Sequence, residues 1–490
     1  MDLPRHVLVL GFRRTGQAVA AALAARGVRV RVADARPAAA LGVTGAPAGV
    51  ELRLGEDGPA LLAGVELVVP SPGVPRDAPV LATAVRRGIP VRSEIELAFR
   101  LLSCPLVAIT GTNGKSTTTS LIGLALERAG RRTFTGGNLG TPLIAALDLA
   151  PEVAVAEVSS FQLEWVERFR PRVGCLLNVT PDHLDRHASF AEYREAKARL
   201  FAAQEAQDFA VVNRDDPEAW RAVAGVRARI VSFGAGAVPC GAFAGEGFVA
   251  LCLPDATEER YGLGRTRLAG RHNVENILAA VTAARLAGAP PAAVQAAIDE
   301  IEPLPHRLAR VAERGGVAWY DDSKATNAGA AAKSLDAFAG PVVLLAGGVD
   351  KGGGYAALAA SAAGKVRLAL VFGEAADRVG AALAAVAVPV ERARTLEQAV
   401  VRAAAVAAAG DTVLLAPACA SFDMFADYGA RGRAFRAAVE ALSRSGRARS
   451  AGAPRLRRPS AVPSPGNARA CGGRSAATRG SCSRWRHSSG

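Results

Sequence analysis

Lys115 and Ser116 follow a glycine-bracketed turn in Leu106-Val-Ala-Ile-Thr-Gly111-Thr112-Asn113-Gly114-Lys115-Ser116-Thr117, where an apolar run enters a loop and then a helix-forming stretch. Such a segment grips nucleotide phosphates. Loop amides and the positive end of the following helix face the phosphates, Lys115 neutralises their charge, and the Ser116 hydroxyl can reach a magnesium ion. ATP or GTP is therefore the expected ligand. The common loop places four residues between its first glycine and the Gly-Lys pair, whereas only Thr112 and Asn113 intervene here. Glu157 closes the apolar run Val153-Ala-Val-Ala-Glu157, and His183 lies just beyond Val173-Gly-Cys-Leu-Leu-Asn-Val-Thr180. Beside a phosphate loop, a strand-end carboxylate is a magnesium candidate, and His183 is a metal or phosphate candidate. His183 and His187 have the spacing of a metal pair, but Leu184 stands where a zinc protease needs its glutamate, so that reading is rejected. His187 reads as structural.

Lys197 is the most informative of the six lysines. Tyr193, Lys197, Leu200 and Phe201 share one stripe of a helix expected over 191–206, which turns Lys197 inward while Glu192, Glu195 and Arg199 face out. Burial disfavours a charged amine, and a neutral one can take up carbon dioxide as a carbamate, an oxygen donor for magnesium. A lysine whose stem covers the core while its amine reaches water is the competing reading. Six lysines among 59 basic residues, the rest arginine, mark those that remain as candidates for roles that need an amine.

The elements that must position these groups alternate between strand and helix three times over. Residues 5–95 open with His6-Val-Leu-Val-Leu10, a Gly11-Phe-Arg-Arg-Thr-Gly16 turn, an alanine-rich helix and a strand ending in Asp34, a Rossmann-like pattern in which Arg13 replaces the middle glycine. A later strand stops at Ser71-Pro72-Gly73, and strand-end loops of this kind line ligand crevices. The expected fold is α/β with three doubly wound modules: a Rossmann-like N-terminal domain (1–98), a central P-loop ATPase domain (99–302) and a Rossmann-like C-terminal domain (303–440). In the third, strand ends carry Asp321-Asp-Ser-Lys-Ala-Thr-Asn327, Gly347-Gly-Val-Asp-Lys351 and Pro417-Ala-Cys-Ala-Ser421, a set of hydroxyls, amides and lysines suited to an anionic substrate.

The net charge of +14 suggests a nucleic-acid binder until it is located. Residues 441–490 hold eleven of the 59 basic groups and no acidic one, which leaves 48 against 45, or +3, for the rest. The basic segment is rich in Arg, Ser, Gly, Pro and Ala and is expected to be a disordered tail; nucleic acid is not the expected partner. Seven cysteines without paired short spacing suggest neither a zinc site nor a disulfide framework. No apolar run reaches membrane-spanning length and no signal-peptide pattern opens the chain, so a cytoplasmic monomer acting on small molecules is expected.

Taken together, the loop Gly111–Thr117, Gly137-Asn138, Glu157-Val-Ser-Ser-Phe-Gln-Leu163, Asn178–His187, Ala196-Lys197, His272-Asn273-Val-Glu-Asn276, Pro305-His-Arg307, Asp322–Asn327, Lys351-Gly and Ser421-Phe-Asp make a pattern that resembles the bacterial Mur ligases. The resemblance covers residues about 5–440 and points to the branch that adds D-glutamate to UDP-N-acetylmuramoyl-L-alanine in peptidoglycan precursor synthesis. It implies an ATP-dependent amide ligation through an acyl phosphate. It also implies roles. Gly111, Thr112, Asn113, Gly114, Lys115, Ser116, Thr117, Asn273, Asn276, Arg307 and Asp322 would bind ATP. Lys115, Glu157, His183, Lys197 and Lys324 would be catalytic, and Ser116, Glu157, His183 and a carbamylated Lys197 would hold magnesium. Thr326, Lys351, Ser421, Phe422 and Tyr428 would take D-glutamate, and Asp34, Arg36, Ser71, Gly73 and Asn138 the UDP-sugar. Folylpolyglutamate synthetases share the phosphate loop, but Ser116 and the Ser-Ser-Phe-Gln-Leu segment disfavour them.

Overall fold

The computed structural model describes residues 3–451 except 44, 139, 254–256, 269 and 353, with the backbone alone for 443–451. Residues up to Leu442 form one compact unit. It contains three sheets. Val50–Leu54, Arg29–Asp34, His6–Leu10 and Leu67–Pro70 form a four-stranded parallel sheet in that order. The strand His6–Leu10 is buried along its whole length, as the unbroken Val/Leu run requires of a parallel strand covered on both faces. Gly16 opens the following helix, Arg14–Ala24, where a Cβ would lie 1.8 Å from the Gly11 carbonyl oxygen. Arg13, by contrast, sits at the N-cap with an ordinary extended backbone (φ −101°) and an exposed side chain, so the position does not demand glycine.

The central sheet has nine strands in the order Glu259–Gly262, Phe248–Cys252, Gly241–Ala244, Arg229–Gly234, Phe209–Asn213, Val173–Leu176, Leu106–Thr110, Val153–Glu157 and Thr133–Gly137. The strands from Gly241–Ala244 onward in that order are parallel, while the first two add an antiparallel extension. The phosphate-loop strand Leu106–Thr110 therefore lies deep within the sheet, flanked by the strands that deliver Glu157 and the segment before His183. One face packs on the helices Lys115–Arg128 and Arg271–Leu286. The apolar core of the other face continues into the N-terminal sheet, from Val7 and Val30 to Ala108 and Ala156.

The third sheet runs Ala309–Arg314, Val317–Asp321, Thr412–Leu415, Val342–Gly347, Val366–Phe372 and Val390–Arg392. Its first strand is antiparallel and the rest are parallel. Two local expectations need correction. The helix bearing Lys197 spans Phe190–Ala198, capped by the Ser189 hydroxyl, and tightens into a 3-10 turn over Arg199–Phe201 instead of running on to 206. The last helix, Tyr428–Ala451, continues through 441–451, the start of the segment expected to lack order. Alanine and arginine are good helix formers, and propagating an existing helix is far easier than starting one. The rest of the basic tail, 452–490, lies outside the described residues. Among the described residues no helix is long and apolar enough to cross a membrane.

Candidate active site

The phosphate loop is shaped by two glycines and held by its neighbours. Gly114 has φ +85°, and a Cβ there would lie 2.1 Å from the Asn276 Oδ1 atom. Asn178 clamps the loop from the next strand: its Oδ1 accepts from the Asn113 amide at 2.8 Å and its Nδ2 donates to the Asn113 carbonyl at 3.2 Å. The Thr112 hydroxyl donates to the Thr180 carbonyl (3.1 Å) and meets the Tyr193 hydroxyl (3.1 Å). The Lys115 ammonium folds back to donate to the carbonyls of Gly111 and Thr112, both at 2.9 Å.

Lys197 is 1 % exposed. Its ammonium donates to the same Gly111 carbonyl at 2.9 Å and lies 4.5 Å over the Tyr193 ring. Burial, reinforced by the Lys115 charge, drives its pKa well down. The inward reading of the helix stripe is therefore the one the structure bears out, and the snorkelling alternative fails for want of an exposed amine.

Glu157 sits at its strand end, 3 % exposed. Oε1 accepts from Asn138 Nδ2 at 2.6 Å, and Oε2 is buried without a hydrogen-bond partner. Burial alone would raise this carboxyl, but the Lys115 charge, helped by the nearby Ser116 hydroxyl and the Asn138 amide, outweighs it and holds the carboxylate form. His183 adopts a left-handed backbone (φ 57°) and stacks edge-on against Phe161 at 4.8 Å. Burial, with the nearby lysines, lowers its pKa to about 3 against the pull of Asp182. Its imidazole is thus neutral and keeps a lone pair. His187 is buried against the Ser160 hydroxyl at 3.1 Å, a structural position.

A cavity of about 540 Å³ gathers most of the expected residues. Thr112 to Thr117, Asn138, Glu157 and His183 line it from the central domain, with Asn273 and Asn276 on the helix Arg271–Leu286. Arg307, Asp322, Lys324, Thr326, Lys351, Ser421, Phe422 and Tyr428 line it from the third sheet's edge. Asp322 accepts from the Leu308 amide at 3.2 Å and from the Ser334 hydroxyl, and burial pushes its carboxyl up to about 6. Lys324 lies 3.9 Å over the Tyr428 ring; burial, then Arg307, lowers its pKa to about 7. Phe422 is 72 % exposed at the rim, whereas Ser421 is buried.

The UDP-sugar candidates divide. Asn138 lines the cavity, but Asp34, Arg36, Ser71 and Gly73 lie away from it, at the carboxyl edge of the N-terminal sheet. Asp34 accepts from the Phe12 and Arg36 amides at 2.9 and 3.0 Å and pairs with the Arg36 guanidinium at 2.6 Å. Burial opposes ionisation there, yet these bonds hold its carboxyl at about 2. The Ser71 hydroxyl donates to the Gly11 carbonyl at 3.2 Å, tying the strand-end loop to the glycine turn.

Asp182 and Asn327 also line the cavity, two positions inside quoted motifs to which the sequence assigns no role. Asp182 accepts from Asn327 Nδ2 at 3.0 Å and lies 3.5 Å from the Lys351 ammonium. Asn327 Nδ2 also reaches Asn113 Oδ1 of the phosphate loop at 3.3 Å. Asp182 and Asn327 are 145 residues apart, so no local signal could have paired them.

Three family models cover most of the chain: a Mur ligase MurD-like N-terminal domain over residues 5–93, a Mur ligase middle domain over 109–284 and a Mur ligase glutamate ligase domain over 306–419. A UDP-N-acetylmuramoylalanine--D-glutamate ligase of Geobacter metallireducens is 46% identical over 451 residues, covering 89% of this chain and 98% of the relative. One of the same name from Anaeromyxobacter dehalogenans is 49% identical over 448 residues, covering 88% and 96%. Among solved structures, a pseudomurein peptide ligase type C from Methanothermus fervidus matches in fold with a TM-score of 0.58 at 17% identity, covering 89% of this chain and all of that one. MurC, the UDP-N-acetylmuramate-alanine ligase of Thermotoga maritima, matches at 0.55 and 18%, covering 90% of this chain and 100% of its own. With its phosphate loop, its three sheets and these matches along nearly its whole described length, the chain belongs to the Mur ligase family.

Proposed function

We infer that the chain is an ATP-dependent ligase that joins D-glutamate to UDP-N-acetylmuramoyl-L-alanine, releasing ADP and phosphate, in the synthesis of peptidoglycan precursors. One observation carries most weight: the phosphate loop and the lysine-bearing edge of the third sheet face each other across a single cavity. A reaction that brings a triphosphate, a carboxylate and a dicarboxylic amino acid together must concentrate negative charge, and this cavity is lined by Lys115, Lys324, Lys351 and Arg307.

Lys115 and the loop amides hold the ATP phosphates. Asn273, Asn276, Arg307 and Asp322 hold the remainder of the nucleotide, and Lys324 meets the charge that builds up as the L-alanyl carboxylate takes the γ-phosphoryl group. Thr326, Lys351, Ser421, Phe422 and Tyr428 hold D-glutamate so that its amine faces the acyl phosphate. Asp34, Arg36, Ser71 and Gly73 anchor the UDP-sugar at a distance, and Asn138 marks where its reactive end enters the cavity.

No three His, Cys, Asp or Glu side chains converge as a ready metal cage among the described residues. The donors present still suit magnesium, which prefers few protein ligands and keeps water and phosphate oxygens. The buried Glu157 Oε2 lacks any donor, and Ser116 stands beside it. These two would hold one ion. His183, neutral, would hold a second with Glu157 and a carbamylated Lys197. Magnesium at these positions would offset phosphate charge. Substrates that are small and water-soluble suit an enzyme of the cytoplasm.

The deciding experiment measures ADP release with UDP-N-acetylmuramoyl-L-alanine and either D- or L-glutamate. Turnover with the D isomer is expected; none with either would overturn the assignment.

A further inference from the structure

Arg186 does not line the cavity, yet its guanidinium is engaged on every side. It lies in the segment after His183 and its side chain is 14% exposed. Its Nε and Nη2 atoms grip the Glu164 carboxylate at 3.3 and 2.7 Å in the two-point geometry that only a guanidinium offers. Its Nη1 atom turns the other way and donates to two backbone carbonyls of the N-terminal sheet's strand-end loop, Val74 at 2.8 Å and Pro72 at 3.4 Å. The guanidinium also lies 4.7 Å over the ring of Phe161.

Each partner leads somewhere. Pro72 and Val74 bracket Gly73 in the loop that carries Ser71. Phe161 lines the cavity and stacks on His183. Glu164, with a side chain 4% exposed, ends the short helix Ser160–Leu163, and its own carbonyl accepts from Arg199 at 2.7 Å. One planar cation therefore joins the UDP-sugar loop to the wall of the phosphate cavity. The seam has other cations: Arg14 donates to the Gly140 carbonyl, and Arg26, Arg76 and Arg92 pair with Asp148, Glu192 and Glu167, each of these pairs with an exposed carboxylate partner; exposed pairs of this kind hold little. The continuous apolar core already joins the two sheets. Arg186 is thus not needed to keep the domains together, and its two carbonyl bonds are local to the 71–74 loop.

We propose that Arg186 is a positioning residue that sets the height and angle of the 71–74 loop against the catalytic cavity, so that a UDP-sugar held by the loop presents its far carboxylate to the phosphate being transferred. The proposal rests on the ligase reading above. Lysine cannot replace the arginine, because a single ammonium cannot hold Glu164 at two points and also reach the carbonyls of Pro72 and Val74.

Two measurements on wild type, R186K and R186A test it. In steady-state kinetics the KM for UDP-N-acetylmuramoyl-L-alanine should rise about ten- to a hundredfold, more in R186A than in R186K, while those for ATP and D-glutamate stay within about twofold. Hydrogen exchange on the proteins without substrate, which needs no turnover, should show the Ser71 and Val74 amides exchanging at least about tenfold faster in both variants; both are hydrogen-bonded in the intact loop. Equal rises in all three KM values with a falling melting temperature would mark Arg186 as merely structural and overturn the proposal. So would unchanged exchange at Ser71 and Val74. A wild-type protein that turns nothing over would overturn the ligase reading alone, since the exchange result still decides whether Arg186 sets the loop.

Discussion

Asn327 allows two of its roles to be separated by a substitution that preserves one and reverses the other. Its Oδ1 caps the helix Ala328–Asp336, accepting from the Ala330 amide at 2.8 Å. Its Nδ2 bridges Asp182 and Asn113 across the central and C-terminal domains. Aspartate caps a helix as well as asparagine does, so N327D keeps the cap but replaces the bridging donor with a carboxylate. A hydrogen bond from a neutral donor to a charged acceptor contributes about 1.5–3 kcal/mol. Two carboxylates 3.0 Å apart repel by about 5 kcal/mol at an effective dielectric of 20, an upper bound because water or a proton relieves part of it. N327A loses the cap, about 1 kcal/mol, and the bridge, without adding repulsion. The expectation is that N327D melts below both wild type and N327A, because the repulsion it adds outweighs the cap it keeps, and that it loses activity by a factor of a hundred or more, with a raised KM for D-glutamate. N327A should be the more stable and the more active of the two. The assay is ligation rate against each substrate together with a thermal melt. If N327D is the more active of the two, Asn327 is a cap and the bridge carries nothing.

Lys197→Ala should be inactive and partly rescued by a short carboxylic acid, read as product formed per unit time; full activity without rescue would exclude a carbamate there. Lys324, lowered to about 7 by burial and Arg307, keeps its proton in the unfolded chain up to the ordinary lysine value of 10.5. Between these values the unfolded state holds more protons, so stability at this site rises with pH, by at most about 5 kcal/mol across the window. Lys324→Met should accordingly stabilise the nucleotide-free protein at pH 6–7, and the gain should shrink towards pH 10 in denaturant melts. Glu157→Gln should raise the magnesium concentration for half-maximal rate at least about tenfold, since a neutral amide is a poor ligand for a hard cation. Gly16→Ala drives a Cβ to 1.8 Å from the Gly11 carbonyl oxygen and should cost about 2 kcal/mol or more in a chemical melt.

The sequence shows the strand–loop–helix at 106–128 because apolar runs, glycines and a lysine occur consecutively. It shows Lys197 facing inward because a helix stripe has a period. Neither device finds Asp182, Asn327 or Arg186, whose partners on other domains lie 112 to 214 residues away and whose bonds carry no periodic trace. The antiparallel strands Phe248–Cys252 and Glu259–Gly262 were also missed, since short strands with charged residues such as Glu259 and Arg260 resemble surface loops until they pair. Arg13 seemed to compromise the glycine turn because a motif treats its positions alike; the backbone shows that Gly16 is the position without room.

The Gly111 carbonyl oxygen receives two ammonium groups, from Lys115 and Lys197, each at 2.9 Å. The Lys115 charge adds to burial in lowering the Lys197 pKa, so of the two amines on this one carbonyl the deeper is disposed to give up its proton. A carbamate on Lys197 would place a negative group beside the Lys115 ammonium, and the two side chains would then attract. Modification on one helix would thus strengthen the hold on a cation of the loop that precedes another.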